Sequence, residues 1–494
     1  MKYTGLSIGP IYKTLMDARK TREIWGASYI FSYIMKNIIK NLSHKDFLTP
    51  YFKKEELEKT EKIGKFHDRL IFEGDMNELD EAIEKVKNGL KETFKKDLGK
   101  NDSKIDNFVD NYFKFYKVEK EFEKIESENS PIRVINEWLN VKELFFEVKN
   151  YEKNYLFEWI RLPWNKNSIL SELEKEGKFK SLPEIALNEL IKKDESIKNL
   201  IKKSFSKDEV EIFEEIEEKY KDLKPYHKYI AIVQADGDNL SKALENIPAE
   251  KINLEVKNIS EKLFDFAKKA AEKINDFGGE LIYAGGDDLL FFAPVKNENG
   301  TVFDLIKRIE QIYKEKNIHN STISFGVSVT YYKFPLNEAL SQAGFLLFER
   351  AKNQKNSTAF RVIKHSGQYF ESVFSNEILE EFLSMTRFEG DEEFLHSLYT
   401  KISYYKDLLK FTDEKRIDNF FENNFNENYD TYKRFFEKTA SYYKNLVKKE
   451  LQQLKSEKNS SEDKIFEARE KSVEDLYATL RFMKFLKGDK NEKN

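Results

Sequence analysis

Apolar and polar residues first alternate and then recur at helical spacing, and this change of period predicts two similar groups of strands and helices. The first group opens with the weakly alternating segment "KYTGLSIGPIY", which predicts a strand and then a turn at Gly9-Pro10. Helical spacing follows from Thr14 to about Asn41, and a second strand is predicted over Lys65 to Asp75, ahead of an amphipathic helix. Strand, helix, strand and helix in this order are typical of the first half of a ferredoxin-like βαββαβ unit.

The second group is complete and contains the strongest strand pattern in the chain, "KYIAIVQADGDNL", from Lys228 to Leu240. A helical stretch follows it, then two strands about a turn in "GGELIYAGGDDLLFFAPV", another helix, and the strand "STISFGVSVTYY". This β-α-β-β-α-β order predicts a second ferredoxin-like unit, which one more helix and strand extend. We therefore predict an α+β fold with ferredoxin-like domains at residues 1–100 and 226–375 and helical domains at residues 101–225 and 376–494.

The composition is that of a globular, highly charged chain, and it excludes several kinds of chemistry. Of the 494 residues, 35% are charged and 14% are aromatic, which argues against disorder. Because cysteine is absent, disulfides, thiolate zinc sites and cysteine nucleophiles are excluded. The 84 basic and 88 acidic side chains give a net charge of -4, so nucleic acid is not expected over the whole surface, while a local basic groove is compatible with this balance. Neither a signal-peptide pattern nor a run of about 18 apolar residues occurs, so we expect a cytoplasmic protein that does not enter a membrane.

Three aspartates stand where two neighbouring strands of the second unit end. Asp236 ends the first strand, and Asp287 and Asp288 lie in the turn between the second and third strands. The first and third strands are neighbours in a βαββαβ sheet, so the fold would bring these carboxylates together. Carboxylates packed closely repel one another, and a divalent cation such as Mg2+ (or Mn2+) held by oxygen ligands relieves that repulsion. The alternative is an ordinary hairpin turn, in which Gly-Gly and Gly-Asp pairs are common.

Two glycines and a lysine extend this prediction toward phosphates. Gly285 and Gly286 precede the aspartate pair, and a turn without side chains allows a nucleotide to approach the backbone closely. Lys352 falls at the C-terminal end of a predicted helix, where its ammonium group could meet a triphosphate. The alternative for Lys352 is a solvated side chain that interacts with the helix dipole.

Several segments, in order along the chain, resemble one protein family. The segments "QADGDNLSKAL", "YAGGDDLL", "STISFGVSV" and "ALSQAGFLLFERAK" resemble the cyclase-type palm of the large subunit of type III CRISPR effector complexes, a palm akin to GGDEF diguanylate cyclases. The N-terminal "SIGPIYKTLMDARKTREIWGASYIFSYIM" resembles the Cmr-type (type III-B) form of that subunit. The resemblance covers about residues 1–40 and 226–370. It implies two ferredoxin-like palm domains, of which the second is the GGDEF-cyclase-like one and the first holds no metal.

The resemblance also implies an activity, ligands and partners. The family polymerises ATP on a pair of facing palms and releases pyrophosphate, and it does so when the assembled complex binds target RNA. Mg2+ and ATP are therefore the implied ligands, and a cyclic oligoadenylate is the implied product. The implied partners are other Cmr-type subunits, CRISPR RNA and target RNA.

Site residues follow from the resemblance by position. Asp236 and Asp287 are the implied metal ligands and catalytic residues, with Asp288 assisting. The implied nucleotide or phosphate contacts are Gly285, Gly286, Lys352, Asp238, Asn239, Ser241 and Lys242. Ser241 and Lys242 start the following predicted helix, whose N-terminal amides could meet a phosphate.

Two departures from the family pattern change the expected activity. Many relatives carry an N-terminal HD nuclease domain, for which a palm-like pattern starting at residue 5 leaves no room, so we expect no DNA nuclease. His67-Asp68 is a literal HD pair, but it lies in a strand pattern without the further ligands of such a site. Many relatives also carry a four-cysteine zinc site, which a chain without cysteine cannot form.

Two alternatives to cyclic oligoadenylate synthesis remain open from the sequence. Some members without an HD domain join ATP to S-adenosylmethionine, which is the same nucleotidyl transfer to a different acceptor. That acceptor would bind on the first palm, around Ser7 to Pro10. The second alternative is a structural subunit without turnover, although a relic site would tend to have lost one of its three aspartates.

Overall fold

The structure of the chain is a computed structural model. It describes all residues except 60–63, 126–128, 146–150, 152, 172–179, 204–214, 217, 221–222, 241, 243–246, 389–391, 412–415, 426–428, 457–460 and 489–494. The strands are β1 (Lys2–Gly9), β2 (Asp46–Thr49), β3 (Arg69–Glu73), β4 (Lys114–Glu121), β5 (Tyr229–Asp238), β6 (Glu280–Gly285), β7 (Asp288–Pro294), β8 (Lys296–Asn297), β9 (Gly300–Thr301), β10 (Thr322–Tyr331), β11 (Ser357–Ile363) and β12 (Tyr369–Ser375).

Helices surround these strands and form most of the remaining described chain. The α-helices are α1 (Ile11–Asp17), α2 (Thr21–Asn41), α3 (Lys54–Glu58), α4 (Met76–Leu98), α5 (Ser103–Tyr112), α6 (Pro131–Leu144), α7 (Tyr155–Ile160), α8 (Leu182–Ala186), α9 (Asn188–Lys193), α10 (Ser196–Lys203), α11 (Ile252–Asp276), α12 (Val302–Glu315), α13 (Leu336–Phe345), α14 (Lys352–Gln354), α15 (Leu379–Thr386), α16 (Glu392–Tyr404), α17 (Lys406–Lys410), α18 (Arg416–Asn424), α19 (Tyr429–Ser456) and α20 (Glu462–Lys487). A π-helical turn, Leu346–Ala351, joins α13 to α14. No helix within the described ranges is long and apolar enough to span a membrane.

The two large sheets share one strand order. The first sheet has four strands in the order β2-β3-β1-β4, and all its neighbours are antiparallel. The second has six strands in the order β12-β11-β10-β5-β7-β6. In the first sheet β1 lies between β3 and β4, and in the second β5 lies between β7 and β10. In each sheet the first of these four strands along the chain is thus flanked by the third and the fourth. The added strand β11 runs parallel to β10, and β12 closes that edge.

A buried layer between the two sheets holds them together. Strand β1 is buried along nearly its whole length because α2 packs near one face and α6 covers the other. Helix α2 also packs against the second sheet, so that Trp25 and Ile30 share a core with Ile282 and Phe292. Across the same boundary, the Ser28 hydroxyl donates to the Ile282 carbonyl at 2.9 Å. The sheets thus form two walls of one apolar layer.

Two boundaries differ from those predicted from the sequence. The first sheet includes β4, so it extends past residue 100, where a helical domain was expected to begin. The strand predicted over Lys65 to Asp75 is shorter, and His67 and Asp68 lie just before it. The described helix α11 begins at Ile252, and the helix start expected at Ser241 falls on residues largely outside the described ranges.

Candidate metal centre

The three aspartates converge at the end of β5. The register pairs Ala235 of β5 with Leu289 of β7, so the next residues along each strand, Asp236 and Asp288, are neighbours. Asp287 lies in the tight turn between β6 and β7. One carboxylate oxygen from each of the three residues lies within 4.8 Å of the others. Oxygen donors at this spacing suit a hard divalent cation such as Mg2+ or Mn2+.

The carboxylates of this cluster repel one another. Burial first, and then the charge of Asp236, raises the pKa of Asp287 to about 7. Desolvation by the surrounding protein and then the charges of Asp287 and Asp236 also raise the pKa of Asp288. This side chain nevertheless keeps solvent-exposed surface. A divalent cation would reverse both shifts, because it stabilises the ionised carboxylates. The cluster is thus chemically suited to hold such a cation.

The two glycines of the turn have different surroundings. Gly286 has a φ of +69°, a conformation that favours glycine, and a Cβ there would meet nothing within 4 Å. A Cβ at Gly285 would overlap the Tyr283 hydroxyl and come within 2.8 Å of the Cβ of His67. Gly286 therefore has open space toward a ligand, whereas Gly285 is required by packing inside the protein.

Lys352 lies against the aspartates and away from bulk solvent. Its ammonium group is 2.7 Å from Asp236 Oδ2 and 3.4 Å from Asp238 Oδ1, and it also donates to the carbonyl of Gly237. The side chain is 19% exposed, so the interpretation as a solvated helix-end lysine is wrong. The π-helical turn immediately before Lys352 places it at the end of β5.

Asp238 supports the site from inside the protein. Its carboxylate accepts hydrogen bonds from the hydroxyls of Thr322 and Ser324 and from the backbone N–H of Asn356, at 2.8 to 3.0 Å. Its side chain has no exposed surface. The predicted nucleotide contact by Asp238 is therefore wrong, because these donors and Lys352 occupy its oxygens within the protein.

The remaining predicted contacts are more peripheral. Asn239 adopts a φ of +62° and its side-chain oxygen accepts from Lys355 at 2.6 Å. Lys242 is exposed, and Ser241 lies outside the described residues. The helix start expected at Ser241 and Lys242 falls largely outside the described residues, so a phosphate contact there stays a prediction.

A polar cluster on the first sheet lies close to the aspartates. Glu143 of α6 accepts from the Ser7 hydroxyl at 2.6 Å and pairs with Arg69 at 2.8 Å. The Ile8 amide donates to the carbonyl of Asp68, so these two residues lie opposite each other where β1 meets the start of β3. Asp236 and Asp288 lie opposite each other at the equivalent position of β5 and β7. The first sheet thus has an apolar residue, Ile8, where the second has Asp236 of the candidate metal centre.

Two further observations place this cluster beside the metal centre. The pKa of Tyr283 is raised by burial and then by the charges of Asp68 and Asp288, so that both carboxylates act on one phenol. His67 lies against Gly285, and burial and the charge of Arg69 lower its pKa to about 4, which keeps the ring neutral. Among the described residues, neither His67 nor Asp68 belongs to a cluster of three potential metal ligands.

Sequence reasoning missed several residues of this region. Glu143 lies in a segment predicted to be a separate helical domain, and no local pattern marks it. Gly237 had a visible signal, because it separates two aspartates. A Cβ there would lie 2.5 Å from Asp287 Oδ2 and 2.7 Å from the Tyr313 hydroxyl, so only glycine fits.

Comparisons with known proteins agree on one family. The domain described as "Cas10/Cmr2, second palm domain" matches residues 229–359, and "CRISPR-associated protein Cmr2, N-terminal" matches residues 3–98. The Cmr subunit Cmr2 of Pyrococcus furiosus is 27% identical over 207 residues, which are 37% of this chain and 24% of that protein. The chain therefore aligns with about a quarter of the length of this relative.

Solved structures show the same fold at low sequence identity. A type III-B Cmr-beta structure in the apo state gives a TM-score of 0.55 at 13% identity, covering 83% of this chain and 76% of that one. Cmr-beta bound to cognate target RNA gives 0.54 at 13% identity, with 85% and 77% covered. A Csm1–Csm4 cassette in complex with cA4 gives 0.50 at 10% identity, with 82% and 62% covered. The two matched segments and the Cmr2 relative make the chain similar to the large subunits of Cmr-type CRISPR effector complexes, and the solved structures show that it shares their fold.

Proposed function

We propose that this chain is a nucleotidyltransferase that transfers adenylate from ATP with release of pyrophosphate. The observation that carries the proposal is the convergence of Asp236, Asp287 and Asp288 within 4.8 Å, inside the segment that matches a second palm domain. The two sheets with their common strand order are interpreted as two palms, of which the second resembles GGDEF cyclases. A Csm1–Csm4 structure of similar fold is described as a complex with cA4, which supports a nucleotide product.

Each residue of the centre has a role in this proposal. Asp236 and Asp287 would hold Mg2+, with Asp288 assisting. A bound divalent cation supplies charge for the phosphates and lowers the pKa of an attacking hydroxyl. Lys352 lies close enough to the same point to contact a phosphate, and Gly286 leaves space for the nucleotide. Asp238 is a positioning residue, because its network holds Lys352 and the end of β5.

The acceptor has two candidates. The first is another ATP, which leads to a cyclic oligoadenylate. The second is S-adenosylmethionine, and the polar cluster of the first sheet favours it. Glu143 and Asp68 are acidic groups near the proposed transfer site, where negative charge would attract a sulfonium or ammonium group and repel a triphosphate. Burial raises the pKa of Asp68, so Glu143 is the main source of that charge. Arg69 offsets part of that charge, which keeps ATP as a candidate.

The proposed setting is a Cmr-type effector complex. Other Cmr subunits, CRISPR RNA and target RNA are the proposed partners, and bound target RNA is the proposed activator. The support is the similarity of fold to a Cmr-beta structure described as bound to cognate target RNA. A structural subunit without turnover is the competing function, and it predicts no product under any condition.

The experiment is product analysis of the assembled complex with ATP, Mg2+ and target RNA, with and without S-adenosylmethionine. Mass spectrometry distinguishes an oligoadenylate from a S-adenosylmethionine adduct of AMP. Asp287→Asn combined with Asp288→Asn should lower pyrophosphate release by roughly 100-fold or more, since it removes the metal ligands. Asp276→Asn, at an exposed position of α11, is the control and should match the wild type. Wild-type turnover by the double variant would refute the site.

A further inference from the structure

A second cleft lies on the opposite end of the second sheet, between the β11–β12 hairpin and the C-terminal helices α16 and α20. A cavity of about 490 Å³ is lined there by Gly367, Gln368, Tyr369, Tyr399, Tyr477 and Arg481. A smaller cavity of about 60 Å³ shares Tyr399 and Arg481 and adds Lys364 and Lys484. Among the described residues, no carboxylate lines either cavity, and no residue of the candidate metal centre does. We call these two cavities the tyrosine cleft.

Three tyrosines give the tyrosine cleft flat apolar faces. Tyr369 is 56% exposed at the tip of the hairpin, beside Gly367, whose φ of +82° forms the turn. Tyr399 and Tyr477 are half-buried, with ring centroids 6.0 Å apart and an interplanar angle of 67°. Exposed aromatic rings on a firm support are the platforms on which unpaired bases stack.

The cations of the tyrosine cleft are held against rings. The Arg481 guanidinium lies 4.7 Å from the ring centroid of Phe370 and 5.7 Å from that of Tyr477. Within the described chain it makes no hydrogen bond or ion pair, so its N–H groups are available to an anion. The Lys484 ammonium group lies 5.4 Å from the Tyr399 ring centroid. A third cation, the Arg361 guanidinium, lies 4.7 Å from the Tyr369 ring centroid and is paired with Glu371, so positive charge gathers on the rings of the cleft in a chain whose net charge is -4.

We infer that the tyrosine cleft binds a short stretch of single-stranded nucleic acid. One or two bases stack on Tyr369 and on the Tyr399–Tyr477 pair, and Arg481 and Lys484 contact the phosphates between them. A cavity of about 490 Å³ is the size of a small-ligand cleft, so it suits one or two splayed nucleotides better than a duplex. This binding site is separate from the proposed transfer site and does not depend on ATP turnover.

The test is fluorescence anisotropy with the full chain and a labelled oligouridine of about 12 nucleotides, a length within the range of single-strand sites. An oligothymidine of the same length shows whether RNA and DNA are distinguished. The test variants are Tyr369→Ala, at an exposed turn, and Arg481→Gln. Arg308→Gln is the matched control, because Arg308 is exposed on α12, outside the cleft, and its partner among the described residues is the Asn299 carbonyl. Pyrophosphate release by each variant in the assembled complex is measured separately.

Tyr369→Ala is expected to raise the Kd roughly 5- to 100-fold, as the loss of one stacking platform does. Arg481→Gln should weaken binding and lower the slope of log Kd against log salt by about one, the mark of a lost phosphate contact. Arg308→Gln should bind as the wild type does. Weaker binding of either the RNA or the DNA probe by the Tyr369 and Arg481 variants would support the site. Equal affinity of all four proteins would overturn the inference. So would variants that bind the oligonucleotide normally but no longer join the other subunits, because the cleft would then be a protein interface.

Discussion

At the scale of single residues, Lys352 is the cation that compensates the carboxylates at the end of β5. It lies 2.7 Å from Asp236 and 3.4 Å from Asp238, and only 19% of its side chain is exposed. An ion pair with so little water around it interacts more strongly than a surface pair, and removing one partner leaves the other charge uncompensated. In the absence of a divalent cation, Lys352 is therefore expected to contribute to stability, in addition to the phosphate contact proposed for it.

This argument predicts a stability change that depends on metal. Lys352→Met should lower the free energy of unfolding in EDTA by about 1–3 kcal/mol, because Asp236 and Asp238 lose their common counter-charge. Mg2+ should restore more stability to the variant than it adds to the wild type, since a bound cation supplies the missing charge. Urea denaturation of the full chain with EDTA or with Mg2+ measures both quantities.

Lys355→Met is the matched control for this prediction. Lys355 is three residues away and exposed, and its ammonium group contacts the side-chain oxygen of Asn239. Its loss should change stability by less than about 0.5 kcal/mol, as for most surface substitutions. Equal losses in the two variants, or an equal gain from Mg2+, would show that Lys352 is not the compensating cation.

At the scale of elements, the convergence of the three aspartates could be predicted from the sequence because it follows from strand order alone. The strands that carry Asp236 and Asp288 have strong apolar patterns, and the fold places them side by side. Strand β4, "KFYKVEKE", was missed because charged residues interrupt it, as is common at a sheet edge. Strand β2 has only four residues, too few for a period to show.

Other parts of the site depend on contacts that no local pattern encodes. Burial of Asp238 requires hydroxyls from β10, and Glu143 reaches the site from a helix more than a hundred residues after β1. The π-helical turn before Lys352 was also not predictable, because its segment has an ordinary helical pattern. These features were therefore visible only once the elements were packed together.

The packing of that π-helical turn on β10 gives a second prediction. A Cβ at Gly326 would overlap the Ala343 carbonyl oxygen and the Leu347 amide, and would lie 2.9 Å from the Leu347 Cα. Because these are backbone atoms, the helix has to move. Gly326→Ala should thus destabilise the protein by about 1–3 kcal/mol and lower pyrophosphate release by shifting Lys352.

Gly89→Ala provides the control, since it makes the same substitution inside α4. A Cβ at Gly89 would meet nothing within 4 Å, so the helix gains rigidity without overlap and stability should rise by about 0.5–1 kcal/mol. Thermal unfolding and turnover are measured for both variants. A neutral or stabilising Gly326→Ala would mean that β10 and the π-helical turn are not packed as described.

At the scale of the whole molecule, the two sheets depend on each other for burial. An apolar face of the second sheet lies in one core that helix α2 of the N-terminal part and α13 of the second half both enter, with α2 packed on β6; this face includes Ile230, Ile232, Ile282, Leu290 and Phe292. All five are at most 5% exposed. Burial of a large apolar side chain stabilises a protein by about 1.5–3 kcal/mol. Five such side chains are therefore comparable to the whole net stability of a domain, about 5–15 kcal/mol.

The last prediction follows from this shared layer. A fragment of residues 226–494, which keeps all of the second sheet, should aggregate or bind a hydrophobic dye when produced alone, because its α2-facing surface is uncovered. Co-production with a fragment of residues 1–225 should give a soluble pair that elutes together in size-exclusion chromatography, since α2 then covers that face. The intact chain is the reference for dye binding and unfolding. A soluble, dye-free and cooperatively unfolding 226–494 fragment would instead show that the second sheet is an autonomous domain, and that the layer around Trp25 and Phe292 contributes little to its stability.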